Sequence, residues 1–323
     1  MTIRTAEHQR PTHHLIHISD LHLRADSDGG PADGASHLRR MLEEIEESGR
    51  PVDAVVCTGD LADRGEPDAY RMLRAIVDPV LERLGAQAIW VMGDHDDRAA
   101  FREHLLDQPP GMHRPVDRVY ELGGLRVITL DTTAPGARYG ELADAQLDWL
   151  AEELATDAPD GTLLAMHHPP LPGATDLAAA DELHGQRALA EVVEASDIRS
   201  ILAGHLHHPA SGVFAGIPVS VASSASWTVD LHAPVGAVRT RDGAQSFNLV
   251  HVHPDAVLHS VVPVGAFPLL AGVDAAEVAI RLEAAGVRIA DPAPHITATG
   301  PTRDEIDAML HRAGAETQPI HLL

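Results

Sequence analysis

Lysine is absent from this 323-residue chain, asparagine occurs once, at Asn248, and cysteine once, at Cys57. A lone cysteine closes no internal disulfide, and its place in an apolar run reads as a buried, inert thiol, so redox and thiol chemistry find no support. Positive charge is scarce as well. With 24 basic against 48 acidic side chains the balance is −24, which argues against nucleic acid or any polyanion held by the general field. Long apolar runs are missing too: Val261 to Val273 is the longest weakly polar stretch, and Pro263, Gly265 and Pro268 interrupt it, so no membrane span is expected. Met1 to His14 lacks the apolar core of a secretory signal, and a cytoplasmic location is the expectation.

Against these absences stand 44% hydrophobic residues and 22 histidines. The first figure is that of a globular chain with a sizeable core, in one large domain with appendages or in two ordinary ones, and it excludes disorder throughout. The second is the informative excess. Imidazole binds transition metals and exchanges protons near neutrality, so the places where histidines cluster matter.

Periodicity organises the first 210 residues as short apolar strands alternating with amphipathic helices. Strands are predicted at 14–18, 54–57, 88–92, 126–130, 162–166 and 200–202. Leu38, Met41, Leu42 and Ile45 trace one helix, ended by Gly49-Arg50-Pro51. Tyr70, Leu73, Ile76, Val77, Leu81 and Leu84 trace a second before Gly85, with Pro79 predicting a kink or break near Asp78, and Leu147, Leu150 and Leu154 trace a third. Such alternation implies an α/β fold with a largely parallel sheet and right-handed crossovers. From Ser211 to Val262 short strands without helical spacing predict a second, mixed or antiparallel sheet. After Gly265 two short helices are expected, at 275–285 and 303–313.

Five of the predicted strands end directly in Asp or His: Ser19-Asp20-Leu21-His22, Thr58-Gly59-Asp60, Gly93-Asp94-His95-Asp96, His167-His168-Pro169 and Gly204-His205-Leu206-His207. The C-terminal ends of parallel strands converge on the crevice where α/β proteins bind ligands, so residues far apart in sequence can meet there. Three carboxylates brought together would repel, and cations reverse that sign. Seven mixed oxygen and nitrogen donors exceed a tetrahedral zinc site but suit two ions sharing one carboxylate, with Fe, Mn, Zn or Co preferred over Ca. Two-metal sites perform hydrolytic displacement at phosphorus or carbonyl centres.

These blocks, with Gly59-Asp60-x-x-Asp63 and His167-His168-Pro169-Pro170, resemble the signature motifs of the calcineurin-like metallophosphoesterases, most nearly the class III cyclic nucleotide phosphodiesterases, over residues 12 to 265. The resemblance implies a four-layer αββα sandwich of two mixed β-sheets flanked by helices, with residues 266–323 as a C-terminal extension. It implies two metal ions, Fe and Mn or else Zn or Co. Asp20, His22, Asp60 and His207 would hold one, and Asp60, Asp94, His167 and His205 the other. It further implies hydrolysis of 3′,5′-cyclic nucleotides, cyclic AMP first and 2′,3′-cyclic nucleotides as a second class, by a hydroxide shared between the ions, with His95 assisting the leaving oxygen. Asp63 and Asp96 are candidates to orient imidazoles. His168 and His208 flank ligands and could reach substrate. A homodimer is a further expectation from the family.

One position departs from the family pattern. Where the family has Asn, this chain has Asp94. The extra carboxylate cancels the one positive charge that two divalent ions, a hydroxide and two aspartates would leave, so attraction for an anionic diester should weaken while metal affinity rises. Two other readings remain open: a different diester or a phosphomonoester on the same site, glycerophosphodiesters included, and a low-activity scaffold that keeps the fold.

Overall fold

The computed structural model describes residues 3–26, 33–109 and 114–292. Runs of Ile, Val and Leu form the strands and the spaced apolar stripes form the helices, in the order β1 (His13–Ile18), α1 (Gly34–Glu47), β2 (Ala54–Thr58), α2 (Pro67–Leu84), β3 (Gln87–Val91), α3 (Arg98–Leu105), β4 (Arg118–Leu122), β5 (Leu125–Leu130), α4 (Asp144–Glu153), β6 (Thr162–Met166), α5 (Gln186–Val193), β7 (Ile198–Ala203), β8 (Ala210–Phe214), β9 (Ile217–Val221), β10 (Ser246–Val252), β11 (Val257–Pro263) and α6 (Ala275–Ala285). The expected helix at 303–313 lies outside the described residues. None of the described helices is long and apolar enough to cross a membrane.

Two sheets result. One has the order β11-β10-β1-β2-β3, the other β4-β5-β6-β7-β9-β8. Each has a parallel run, β1-β2-β3 in the first and β5-β6-β7-β9 in the second, with antiparallel pairing on one side of the first and on both sides of the second. Apart from the two-residue strands Thr228–Val229 and Thr240–Arg241, which pair with each other, the strands after Ser211 therefore do not make a sheet of their own. β8 and β9 extend one sheet and β10 and β11 the other, because each parallel run has open backbone edges to satisfy.

Packing explains the layers. Leu15, Val56, Ile89 and Val250 of the first sheet share one buried cluster with Val127, Leu163, Ala165 and Leu202 of the second, so the inner faces pack on each other. The outer face of the first is covered by α1, α2 and α3 through Leu38, Met41, Leu73, Val77 and Phe101. The outer face of the second is covered by α4 and α5 through Leu150, Leu189 and Val193. This is the four-layer αββα arrangement. A period of two places alternate strand residues on the two faces, which is why Leu15 points inward while Ile16 meets the helices.

Pro79 does not break its helix. α2 continues from Pro67 to Leu84, with Ala69, Tyr70, Leu73, Val77 and Leu81 on the buried side. Both Pro79 and Ala75 are exposed, so the helix loses one hydrogen bond on its solvent side, where water can replace the missing donor. Cys57 is buried and its thiol is pushed up to about 12 by burial, as an inert core residue should be.

Candidate metal centre

The five strand ends that carry Asp and His belong to both sheets. β1, β2 and β3 deliver Asp20, His22, Asp60, Asp94 and His95 from the first, and β6 and β7 deliver His167, His205 and His207 from the second. Backbone hydrogen bonds sew these ends together: Asp20 N–H donates to the Gly59 carbonyl at 3.1 Å, His22 N–H to the Asp60 carbonyl at 2.9 Å and Gly204 N–H to the His167 carbonyl at 3.0 Å. The chain turns sharply at each end. Asp20, His22, Asp60, His205 and His207 all have positive φ, between 44° and 71°, although none is glycine. Left-handed backbone at such residues costs roughly 1–3 kcal/mol each and is characteristic of functional sites.

The glycines in these motifs are there for close approach. A methyl group on Gly93 would collide with the backbone nitrogen and carboxylate of Asp60, and one on Gly59, at φ 94°, would strike the His167 ring.

Two groups of donors form. Asp20, His22, Asp60 and His207 lie within reach of a single ion, as do Asp94, His167, His168 and His205. The histidines share one design. His167 Nδ1 donates to the Thr58 carbonyl at 2.7 Å, His207 Nδ1 to the Trp227 carbonyl at 2.9 Å and His205 Nε2 to the Asp181 carbonyl at 3.0 Å, while His22 Nδ1 meets the Asp63 carboxylate at 3.3 Å. Those oxygens only accept, so each outer nitrogen carries the proton and each inner nitrogen presents a lone pair.

The inner nitrogens then face one another. His22 Nε2 stands 3.2 Å from His207 Nε2, and His205 Nδ1 stands 3.2 Å from His167 Nε2. Asp60 joins the two pairs, with one oxygen 3.4 Å from His22 and the other 3.6 Å from His167. Asp94 Oδ1 adds contacts of 3.2 and 3.3 Å to His167 and His205, and Asp20 lies 3.4 Å from His207. Opposed lone pairs beside three carboxylates, each with a side chain at most 3% exposed, require positive charge between them.

The proton affinities express the same demand. Burial alone would lower the pKa of His167, but Asp60 and Asp94 outweigh it and raise it to about 10. For Asp94, burial pushes upward and is overcome by His167 and His205, which hold the carboxyl well below its usual range. A proton and a metal ion compete for the same nitrogens. The donor set, imidazole and carboxylate without thiolate, fits two transition-metal ions.

Neighbouring residues divide into those that meet the sequence expectation and those that do not. Asp63 orients His22, and its carbonyl accepts from His95 Nδ1 at 2.7 Å, turning His95 Nε2 toward the cleft. Asp96 touches no imidazole. Its carboxylate accepts from the backbone N–H groups of Leu61, Ala62 and Gly93 and from the Tyr70 hydroxyl, tying two strand ends together. Burial, then the Asp60 charge, raises its pKa to about 6. His168 is buried with both nitrogens engaged, by Thr132 Oγ1 and the Arg138 carbonyl, and does not reach toward substrate. His208 does line the cleft.

The cleft over the cluster encloses about 230 Å³. Two of its lining residues, Arg138 and Trp227, escaped the motif reading. Arg138 lies 3.3 Å from His95 Nε2, and the Trp227 ring stacks on His207 at 3.8 Å. Neither follows a strand in a recognisable motif, and only the composition of a loop, Gly136-Ala137-Arg138-Tyr139-Gly140, marks the first.

With this geometry in view, the chain compares closely with known proteins. The calcineurin-like phosphoesterase family model matches residues 13–209. A probable cyclic nucleotide phosphodiesterase of Rhodococcus erythropolis is 55% identical over 291 residues, covering 90% of this chain and 96% of that protein. A cAMP/cGMP dual specificity phosphodiesterase of Mycobacterium tuberculosis is 54% identical over 265 residues, 81% of this chain and 83% of that one. Among solved structures, a dimetal phosphatase from Danio rerio superposes with a TM-score of 0.54 at 16% identity, over 79% of this chain and 100% of its own, a likeness of fold.

Proposed function

The chain belongs to the calcineurin-like phosphoesterase family, and on that footing we propose that it is a phosphodiesterase that hydrolyses 3′,5′-cyclic nucleotides to nucleoside monophosphates. The observation that carries the reading is the two pairs of facing imidazole nitrogens with Asp60 between them. Asp20, His22, Asp60 and His207 would hold one ion and Asp60, Asp94, His167 and His205 the other, Fe and Mn being the first choice and Zn or Co the alternatives. When bound, the ions supply Lewis acidity to the phosphoryl group and a nucleophile at neutral pH.

The chain's own groups do the rest. Asp63 fixes the tautomer of His22, and the Thr58, Trp227 and Asp181 carbonyls fix those of His167, His207 and His205, so the inner nitrogens are aimed before any ligand arrives. His95, held by the Asp63 carbonyl, presents Nε2 to the cleft, where its protonated form donates to the leaving oxygen or to the developing phosphorane charge. Arg138 lies beside it and offers a guanidinium to a phosphate oxygen. The catalytic domain in this reading spans residues 12–265, with 266–323 as an extension, and the protein acts in the cytoplasm on a small-molecule substrate, as a homodimer.

The test is a hydrolysis panel on metal-reconstituted protein with cyclic nucleotides, glycerophosphodiesters and p-nitrophenyl esters, alongside metal analysis. Two equivalents of metal per chain and the highest kcat/KM on a cyclic nucleotide are expected. Faster turnover of a glycerophosphodiester would overturn the substrate, and absence of bound metal would overturn the enzyme.

A further inference from the structure

The cleft has two apolar walls that neither the donor residues nor His95 account for. One begins at Trp227 and continues through a small hairpin that pairs Thr228–Val229 with Thr240–Arg241. The other is the 3-10 turn Asp176–Ala180. Both carry exposed apolar side chains, Val238 at 43% and Leu177 at 63%, although the two line the same cavity as the Asp and His donors. Exposed apolar groups at the mouth of a polar site cost solubility and mark a surface that something covers.

Each wall is registered on one histidine of the His205-x-His207 motif. The Trp227 carbonyl accepts from His207 Nδ1, the indole stacks on the His207 ring, and Val229 N–H donates to the His207 carbonyl at 3.0 Å. Asp230 closes the hairpin loop through Arg239 at 2.6 Å and Arg241 at 3.4 Å. On the opposite side His205 Nε2 donates to the Asp181 carbonyl, directly after the turn that bears Leu177. The spacing between the cluster and both walls is thus set by hydrogen bonds to the same two side chains.

We propose that Trp227, Val238 and Leu177 form a slot that receives the nucleobase of the substrate while its phosphodiester lies on the metal cluster. The inference rests on the cyclic-nucleotide reading above. A nucleoside cyclic phosphate has one anionic end and one flat, weakly polar end. The cleft matches it, with Arg138 and the imidazoles on the floor and an indole and aliphatic groups above. Thr175 and Thr240 supply hydroxyls, but among the described residues no Asn or Gln lines the cavity, so the slot grips the face of a base more than it reads its edge. Adenine and guanine nucleotides are therefore expected to bind alike.

Binding of adenosine 5′-monophosphate and of ribose 5-phosphate to the metal-reconstituted protein, followed by calorimetry and tryptophan fluorescence, tests the slot apart from turnover. The nucleotide should bind about tenfold tighter or more and quench fluorescence, since a base stacked on an aromatic ring adds binding that the ribose phosphate lacks. Trp227→Leu should abolish the quenching and close the gap. Leu177→Asp, on a surface side chain of the far wall, should also close it in a folded protein with unchanged metal content. A gap that persists in both variants, or equal binding of the two ligands by the parent, overturns the slot. If the gap is present but cyclic nucleotides are not hydrolysed, the substrate reading fails and the slot stands as a nucleotide site.

Discussion

Histidines gather at both ends of β1 and its neighbours, and the two gatherings behave in opposite ways. At the C-terminal end, His22, His167, His205 and His207 turn lone pairs inward against Asp20, Asp60 and Asp94. At the other end, His14 and His251 are register partners across β1 and β10, with ring centroids 5.4 Å apart, and His253 lies 6.4 Å from His251. There burial is the main influence on His14 and His251, and both pKa values are lowered, with His253 and Arg50 adding repulsion and only Asp53 opposing it at His14. At the C-terminal end carboxylates overturn the same burial at His22 and at His167, raising the latter to about 10, while at His207 burial prevails over Asp20 and lowers it to about 4. Imidazole density alone does not make a metal centre. Buried carboxylates, and an oxygen acceptor behind each ring to fix its tautomer, do.

The sharpest way to break the comparison is to remove the shared carboxylate. Asp60→Asn is expected to lose bound metal and to reduce hydrolysis by well over about a hundredfold, since even residues that only orient a ligand cost about 10- to 100-fold. His251→Ala at the other end should leave metal content and kcat unchanged. Equal losses in the two variants, by metal analysis and kinetics, would end the distinction.

A subtler change sharpens it. Asp94→Asn keeps an oxygen toward His167 and His205 but restores one positive charge to the loaded site, so kcat/KM on a cyclic nucleotide should rise, by about tenfold, while metal binds less tightly. No gain in kcat/KM would remove the charge argument.

The smallest effect concerns the other end. His14 and His251 stay neutral in the native state at pH values where the imidazoles of the unfolded chain take up protons. Below their ordinary pKa of 6.5 the unfolded state binds more protons, so this part of the stability is present above that pH and is lost as pH falls. The double variant His14→Gln, His251→Gln should show a shallower decline of unfolding free energy between about pH 7 and pH 5 in denaturant titrations. An unchanged slope would mean these imidazoles do not feel the burial that the structure gives them.

Much of the fold was readable where one strong period ran without competition. β6 matches its predicted bounds, α6 ends where expected, and the stripe Leu38, Met41, Leu42, Ile45 is the buried face of α1. β4, α3 and α5 were not anticipated, because Arg118–Leu122 is an edge strand of mixed polarity and the two helices are eight residues each, too short for a period to stand out. The division of parallel strands between two sheets was equally hidden, since β1 to β3 and β5 to β7 present the same local pattern. At the site, Asp63 follows the expected role and Asp96 does not. Both stand a short step from a cluster residue, and spacing says nothing of which carboxylate points at an imidazole and which at backbone N–H groups.

The sequence by itself determined the chemistry on offer: Asp and His placed directly after strands, glycine wherever the backbones would collide, and no thiol or basic field to compete with a metal-centred reading. Only the tertiary structure decided how those groups are used. Which nitrogen of each histidine faces inward depends on the carbonyls of Thr58, Asp181 and Trp227 and on the Asp63 carboxylate, supplied by other segments. The apolar walls beside the cluster are likewise made by loops that carry no motif. Side-chain identity is local, whereas tautomer, burial and charge balance are properties of what the fold brings alongside.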